Sequence, residues 1–227
     1  MTTNIASKAK AKLSKGWGKL GAKLGQPYQW YQTTSNNNPL DPANDRGTFS
    51  CLIDRDSDFR LLRPDEYGKP IYFVAYDRKG PSVGDYLKGP SIHETYFIIS
   101  QSDFTPTEIV RCNRTVNFYR VAPNEVSPDN WGEYQETNSL NHSHGDLMAT
   151  QFPICLLSGS RGEQALMGGE IPTAGRQPWW VVYCPVIPGV NLRTDDQFVD
   201  EYNIRYVISS PELTILGWRM TAQLAQA

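Results

Sequence analysis

Two stretches decide how this chain is read: Lys69-Pro70-Ile71-Tyr72-Phe73-Val74 and, 108 positions later, Gln177-Pro178-Trp179-Trp180-Val181-Val182. Each is a proline followed by β-branched and aromatic residues, the composition of a short strand. The correspondence extends in both directions. Ser50-Cys51-Leu52-Ile53 answers Ile154-Cys155-Leu156-Leu157, Gly84-Asp85 answers Thr194-Asp195, and Tyr96-Phe97-Ile98-Ile99-Ser100 answers Tyr206-Val207-Ile208-Ser209-Ser210. The offsets of these pairs run 104, 108, 110 and 110 in chain order. Preserved order with slow drift is the mark of a duplicated unit carrying small loop insertions. The competing explanation is chance, because all short strands share a vocabulary. Each half closes on a last strand, Glu108 to Arg114 in the first and Gly217 to Thr221 in the second. The expected fold is therefore mainly β: two tandem small antiparallel β-barrel or sandwich-like units, with strands joined by Gly, Pro and Asp turns.

Ahead of the repeats lies the one good helix pattern, residues 5–24. Ile5, Ala9, Leu13, Trp17, Leu20 and Leu24 recur at spacings of four or three and line one face. Lys8, Lys10, Lys12, Lys15, Lys19 and Lys23 occupy much of the rest. Gly16, Gly18, Gly21 and Gly25 each weaken a helix by up to ~1 kcal/mol relative to alanine. Such a helix is marginal alone and is expected to order only against a partner. The residues expected to make that contact are Lys8, Lys12, Leu13, Lys15, Trp17, Lys19, Leu20, Lys23 and Leu24, with Trp30 just beyond in an aromatic run suited to an extended segment.

The chain then divides as follows: a basic amphipathic arm (1–31), a linker rich in Asn and Pro (32–47), a first β domain (48–121), an acidic linker or long loop (122–150) and a second β domain (151–227). The length of 227 residues accommodates two such units. The formal net charge of −2 conceals a strong polarity. Residues 1–40 hold six lysines and no acid, whereas the other 16 basic residues face all 24 acids, a balance of −8. A basic arm on an acidic body fits an acidic protein groove, and the apolar stripe would be wasted on DNA phosphates. No continuous apolar stretch resembles a secretory signal or approaches the ~20 residues that span a bilayer, so a soluble protein with no membrane partner is expected.

Catalytic and metal signatures are weak. Cys51, Cys112, Cys155 and Cys184 form no C-x-x-C pair and sit in apolar stretches, where reduced Cys acts as a small buried hydrophobe. His142 and His144, with Asp146 nearby, offer two imidazoles and a carboxylate, but a third ligand must come from elsewhere and the stretch reads as a polar loop. Asp54-Arg55-Asp56-Ser57-Asp58 starts like a calcium loop, yet Phe59 and Asp65 stand where an EF-hand needs Gly and Glu, so these acids read as a solvated turn. Gly159-Ser160-Arg161-Gly162 lacks the Gly-Lys-Ser/Thr ending of a phosphate loop. His93 lies in a turn with no nucleophile beside it. No catalytic residue, metal site or cofactor is assigned. Trp179, Trp180 and Trp218 are expected to be core or interface aromatics.

At the C-terminal stretch, Val190-Asn191-Leu192-Arg193-Thr194-Asp195-Asp196-Gln197-Phe198-Val199-Asp200, then Arg205-Tyr206-Val207-Ile208-Ser209-Ser210 and Leu216-Gly217-Trp218-Arg219-Met220, resembles the small β-barrel proteins that join head to tail in tailed bacteriophages, the head-closure or stopper type. Lys23-Leu24-Gly25-Gln26-Pro27-Tyr28-Gln29-Trp30-Tyr31 likewise resembles the start of proteins from phage structural gene clusters. The resemblance covers about the last 50 residues well and the first 30 loosely. Two features depart from it: the chain is about twice the size of a single barrel of that type, and the basic arm is extra. It implies a virion structural protein of the neck rather than an enzyme, made in the host bacterial cytoplasm. It implies a homo-oligomeric ring that contacts the portal or adaptor and the tail proteins, with genomic DNA passing through the lumen without sequence-specific binding. The rival readings are another virion component (a collar, a tail part or a host-glycan-binding module), a metal-dependent hydrolase using His142, His144 and Asp146, and a DNA-binding accessory protein using the lysine arm.

Overall fold

A computed structural model describes residues 5–61, 64–66, 68–77, 80–91, 93–120, 145–159 and 179–225. Helix α1 (Ile5–Leu24) leads into strands β1 (Gln26–Tyr31), β2 (Asp45–Asp54), β3 (Ile71–Ala75), β4 (Tyr86–Lys88), β5 (Thr95–Ser100) and β6 (Thr107–Arg111). After Cys112-Asn113 follow β7 (Arg114–Arg120), β8 (Asp146–Ser158), β9 (Trp179–Cys184), β10 (Gln197–Asp200), β11 (Arg205–Thr214) and β12 (Gly217–Leu224).

Both sheets close on themselves as six-stranded antiparallel barrels, in the cyclic orders β1-β2-β3-β6-β5-β4 and β7-β8-β9-β12-β11-β10. Adding six to each strand number of the first barrel gives the second, so the two have one topology, as duplication requires. Alternation along the strands fills the interiors. Tyr206 and Ile208 on β11, and Trp218, Met220 and Ala222 on β12, point inward in the second barrel. Tyr28, Tyr72, Val74, Tyr96, Ile98 and Ile109 do so in the first. An aromatic pair recurs at the same place: Tyr72 meets Tyr96 edge-on at 5.6 Å, and Trp180 meets Tyr206 edge-on at 5.8 Å.

The register refines the sequence correspondence. Leu52 pairs with Ala75, whereas Cys155, not Leu156, pairs with Tyr183, the residue equivalent to Ala75. Cys51 therefore corresponds to Ile154, one residue away from the cysteine match read in the sequence. Cys51 and Ile154 face their own barrel interiors, and Cys155 faces the other barrel. A one-residue slip along a strand changes the face of every side chain. The acidic turn shifts likewise: Asp85 corresponds to Asp196, and Gly84 to Asp195. The amides of Gly84 and Asp195 donate to the carbonyls of Ile98 and Ile208, and those two residues' own amides donate back to the carbonyls of Asp85 and Asp196.

Strand pairing also redraws the division of the chain. Gln26–Tyr31, placed with the arm at 1–31, pairs with β2 and β4 and belongs to the first barrel. Arg114–Arg120, placed in the first domain at 48–121, pairs with β8 and β10 and belongs to the second. The boundary falls at Cys112-Asn113, because a strand joins the sheet that offers it partners rather than its neighbours in sequence. Of the acidic linker 122–150, residues 145–150 are described and Asp146–Thr150 lie in β8; the remainder lies outside the described residues, as do His142 and His144.

The barrels are bonded along a seam. Tyr31, Tyr86, Phe97, Ile99, Val110 and Cys112 of the first half pack with Cys155, Leu157 and Tyr183 of the second. The buried Tyr86 hydroxyl donates to the Pro153 carbonyl at 2.8 Å. The Asn113 side chain accepts from the Leu156 amide and donates to its carbonyl, both at 2.8 Å. The segment read as a linker, 32–47, is a clasp: Asn36 Nδ2 donates to the Met148 carbonyl, the Thr150 amide donates to the Asn36 carbonyl, and Asn38 Nδ2 donates to Gln151 Oε1.

Helix α1 matches the bounds read in the sequence and lies against β2 and β3. The surface it presents there includes its glycines. A Cβ on Gly21 would stand 2.6 Å from the Ala75 carbonyl oxygen and 3.1 Å from that of Ser50. A Cβ on Gly18 would touch Asp77 at 3.4 Å. Glycine costs helix propensity here but lets the last turns approach the barrel backbone. The C-terminal half of the arm thus finds its partner in its own barrel, while Ile5 at the other end is 85 % exposed.

Candidate interaction site between the barrels

Where the strand ends of the two barrels diverge, the seam opens into a cleft of about 870 Å³. Leu40, Cys112, Pro153, Cys155 and Leu157 line it with apolar groups. Around them stand Tyr72, Asp65, Glu66, Lys69, His93 and Arg111 from the first barrel, and Arg114, Glu201 and Tyr202 from the second. The short connection Cys112-Asn113 places Arg111 and Arg114 on opposite sides of one bend, one at the end of β6 and the other at the start of β7.

Among the described residues, each Arg or Lys lining the cleft has a carboxylate partner. Arg111 Nη1 lies 2.9 Å from Asp65, which also accepts the Tyr72 hydroxyl at 2.8 Å. Lys69 is 2.6 Å from Glu66. Arg114 Nε sits 3.6 Å from the buried carboxylate of Asp200, and its guanidinium lies over the Tyr202 ring at 5.1 Å. The Asp200-Glu201-Tyr202 turn is itself pinned: Asp200 accepts the Tyr202 and Ile204 amides, and Glu201 accepts the Thr115 amide. A cleft whose cations are already neutralised is poorly suited to phosphate. Its apolar floor and paired rim suit a protein surface with an apolar centre and mixed charge around it.

The floor thiols stay protonated. Burial pushes Cys155 up to about 12 and lifts Cys112 well above the ordinary thiol range, with neighbouring Cys155 and Cys184 adding to the Cys112 shift. A thiol held this way is a packing group and a poor nucleophile. Burial, then the hydrogen bond to Asp65, likewise raises Tyr72. Among the described residues, no three His, Cys, Asp or Glu side chains gather to hold a metal ion.

No family model, curated protein or solved structure matches this chain. Its own geometry is what locates each residue singled out in the sequence. On α1, Lys8, Lys12, Leu13, Lys15, Lys19, Lys23 and Leu24 are exposed, and Trp17 and Leu20 are half-buried. Trp30 lies in the first barrel, its indole donating to Asp85 at 2.9 Å. Trp218 is a buried core residue, whereas Trp179 and Trp180 are half-buried on β9. The acidic turn at 54–58 departs from the solvated reading, because Asp54 is buried and its carboxylate accepts the Arg55 and Leu61 amides, both at 2.7 Å.

None of the arm residues or tryptophans lines the cleft, whereas Cys112, Cys155, His93 and Asp65, weighed above only as thiols, a turn histidine and a calcium-loop position, all do. Sequence reading does not assemble Arg111, Arg114, Asp65 and Tyr202 into a site, because they come from separate stretches and share no motif. One further feature did leave a local signal. The β11–β12 hairpin turns through Thr214-Ile215-Leu216-Gly217, an apolar pair where turn chemistry favours polar residues. Ile215 is 95 % exposed, and Leu213, Leu216 and Val186 are exposed close by in the fold.

Proposed function

We propose that this chain is a structural protein of the tailed-phage neck, assembling as a closed ring of copies that joins the portal and head to the tail. The observation that carries the reading is the contrast between two closed barrels and the groups they display. Among the described residues, closure leaves neither sheet an open edge for association. Several exposed apolar groups sit on projecting elements, among them Ile5 and Leu13 on the basic helix and Ile215, the most exposed, at a hairpin tip. Barrels bonded to one another along a packed seam make a rigid block, which a load-bearing ring needs. Projecting apolar elements on such a block are the means by which copies hold one another.

In this reading the helix, with Lys8, Lys12, Lys15, Lys19 and Lys23 exposed, docks on an acidic neighbour, either another copy or the portal, adaptor or tail protein next in line. The acidic remainder of the chain lets DNA pass through the lumen without adhering. The protein is made in the bacterial cytoplasm and resides in the virion. The exposed ring of Tyr202 at the cleft rim favours one second reading, a host-glycan-binding virion module in which that ring stacks on sugar.

Electron microscopy of the purified full-length protein, with sedimentation velocity over a concentration series, tests the proposal. Rings of one symmetry are expected. A monomer at every concentration that binds glycans transfers the reading to the second. A monomer that turns over a small molecule and never associates with a capsid or tail component ends both.

A further inference from the structure

We infer that the apolar tip of the β11–β12 hairpin of one copy plugs the inter-barrel cleft of the next copy. The inference rests on the ring reading and names the contact that would build it.

The tip is a preformed knob. Thr214 Oγ1 donates to the Gly217 carbonyl at 2.8 Å and accepts the Leu216 amide at 3.1 Å, and Gly217 holds φ +113°, so the turn is fixed before any partner arrives. A fixed knob loses little conformational freedom on docking. The barrel makes no use of the Ile215 side chain, which projects almost fully into solvent. Just behind the tip, Glu212 and Arg219 face each other across the hairpin, so one acid and one base flank the apolar end.

The cleft answers this in kind. Leu40, Pro153 and Leu157 provide apolar lining, and the rim carries Arg114 and Glu201 as well as the Arg111–Asp65 pair. An apolar plug with one charge of each sign matches an apolar socket whose rim presents both signs.

The topology selects a second copy as the occupant. The Glu201-Tyr202 rim lies two residues before β11, and the Ile215-Leu216 tip immediately follows it. The ten residues of β11 therefore separate socket and knob, a span of roughly 30 Å at ~3.3 Å per residue. Held that far apart along one barrel strand, the tip does not reach the cleft of its own chain. Knob and socket at opposite ends of one rigid body make a head-to-tail contact, which closes as a ring when the rotation between copies allows.

The test pairs Ile215→Cys with Tyr202→Cys in the full chain; the four native thiols are buried and do not compete. Mild oxidation of the double variant is expected to give a reducible ladder of multimers, while each single variant gives at most a dimer. A double variant that behaves like the singles, or that cross-links within one chain, overturns the inference. Ile215→Asp supplies the second measurement: self-association by sedimentation is expected to weaken at least about tenfold with an unchanged melting temperature. If the wild-type chain forms rings and Ile215→Asp forms the same rings, the plug is wrong and the ring reading survives. If the wild-type chain stays monomeric and the double variant gives no ladder, both are lost.

Discussion

Asp85 and Asp196 occupy the same place in the two barrels and are satisfied by different donors. Each carboxylate accepts the amide of the residue three positions earlier, Ser82 at 2.9 Å or Arg193 at 2.7 Å, and each precedes the first residue of its strand. In the first barrel the remaining acceptor capacity goes to the Trp30 indole and the Thr33 amide. In the second it goes to Arg120, whose Nε and Nη2 reach the two oxygens at 2.9 and 2.8 Å. The two barrels share the turn, while the partner of its buried acid differs.

The substitutions Asp85→Ala and Asp196→Ala therefore remove equivalent anchors with unequal consequences. Each is expected to destabilise the protein by about 2–4 kcal/mol, through lost hydrogen bonds to a charged group. Asp196→Ala is the costlier because it strands part of a guanidinium. Urea unfolding of each variant measures the difference, and equal losses would show that the Arg120 pair adds nothing.

Tyr86→Phe tests the seam. The change removes one buried hydroxyl and leaves the Pro153 carbonyl without its donor, at an expected cost of about 1–3 kcal/mol. Because the seam residues form one apolar cluster, both barrels are expected to unfold in a single calorimetric transition in the wild type. Two separated transitions in the wild type would show that the barrels are coupled only by their connection.

Two glycines of α1 should respond oppositely to alanine. A Cβ on Gly16 meets nothing within 4 Å, so Gly16→Ala is expected to stabilise by up to ~1 kcal/mol through helix propensity. Gly21→Ala drives a methyl group into the Ala75 carbonyl, and overpacking of this kind costs about 1–3 kcal/mol. Limited trypsin digestion at the arm lysines should accelerate in Gly21→Ala and not in Gly16→Ala. Equal rates would mean that the helix does not dock through that face.

Alkaline pH should loosen the fold. Burial pushes the Cys155 thiol up to about 12 from an ordinary value of 9.0, so between those limits the unfolded chain releases a proton that the folded chain retains. Stability is then complete below pH 9 and falls as pH rises through that window. Burial raises Cys51, Cys112, Cys184 and Tyr86 in the same direction and adds to the loss. Melting temperatures measured from pH 7 to 11 should decline only above about pH 9, and in the native state at pH 8 no thiol should react with a disulfide reagent.

The tandem β architecture and helix α1 were legible because their signals are local. Alternation along Tyr206–Ile208 or Trp218–Ala222 declares a strand whatever it pairs with, and the spacing from Ile5 to Leu24 declares a helix whatever it touches. The exposed tip at Ile215 was legible in principle too, as an apolar pair inside a two-residue turn. The cleft was not. Asp65, Arg111 and Tyr202 come from three separate stretches, and no spacing rule connects them.

Read alone, the chain determined that a β unit is written twice behind a basic helix, since the periodicity of side chains follows from backbone geometry within a few residues. Only the folded molecule decided which strand closes which barrel, that Cys155 faces the seam while Cys51 faces a core, and that Asp54 and Asp196 are buried acids. Those outcomes depend on pairing register between segments distant in sequence, where a shift of one residue exchanges inside for outside.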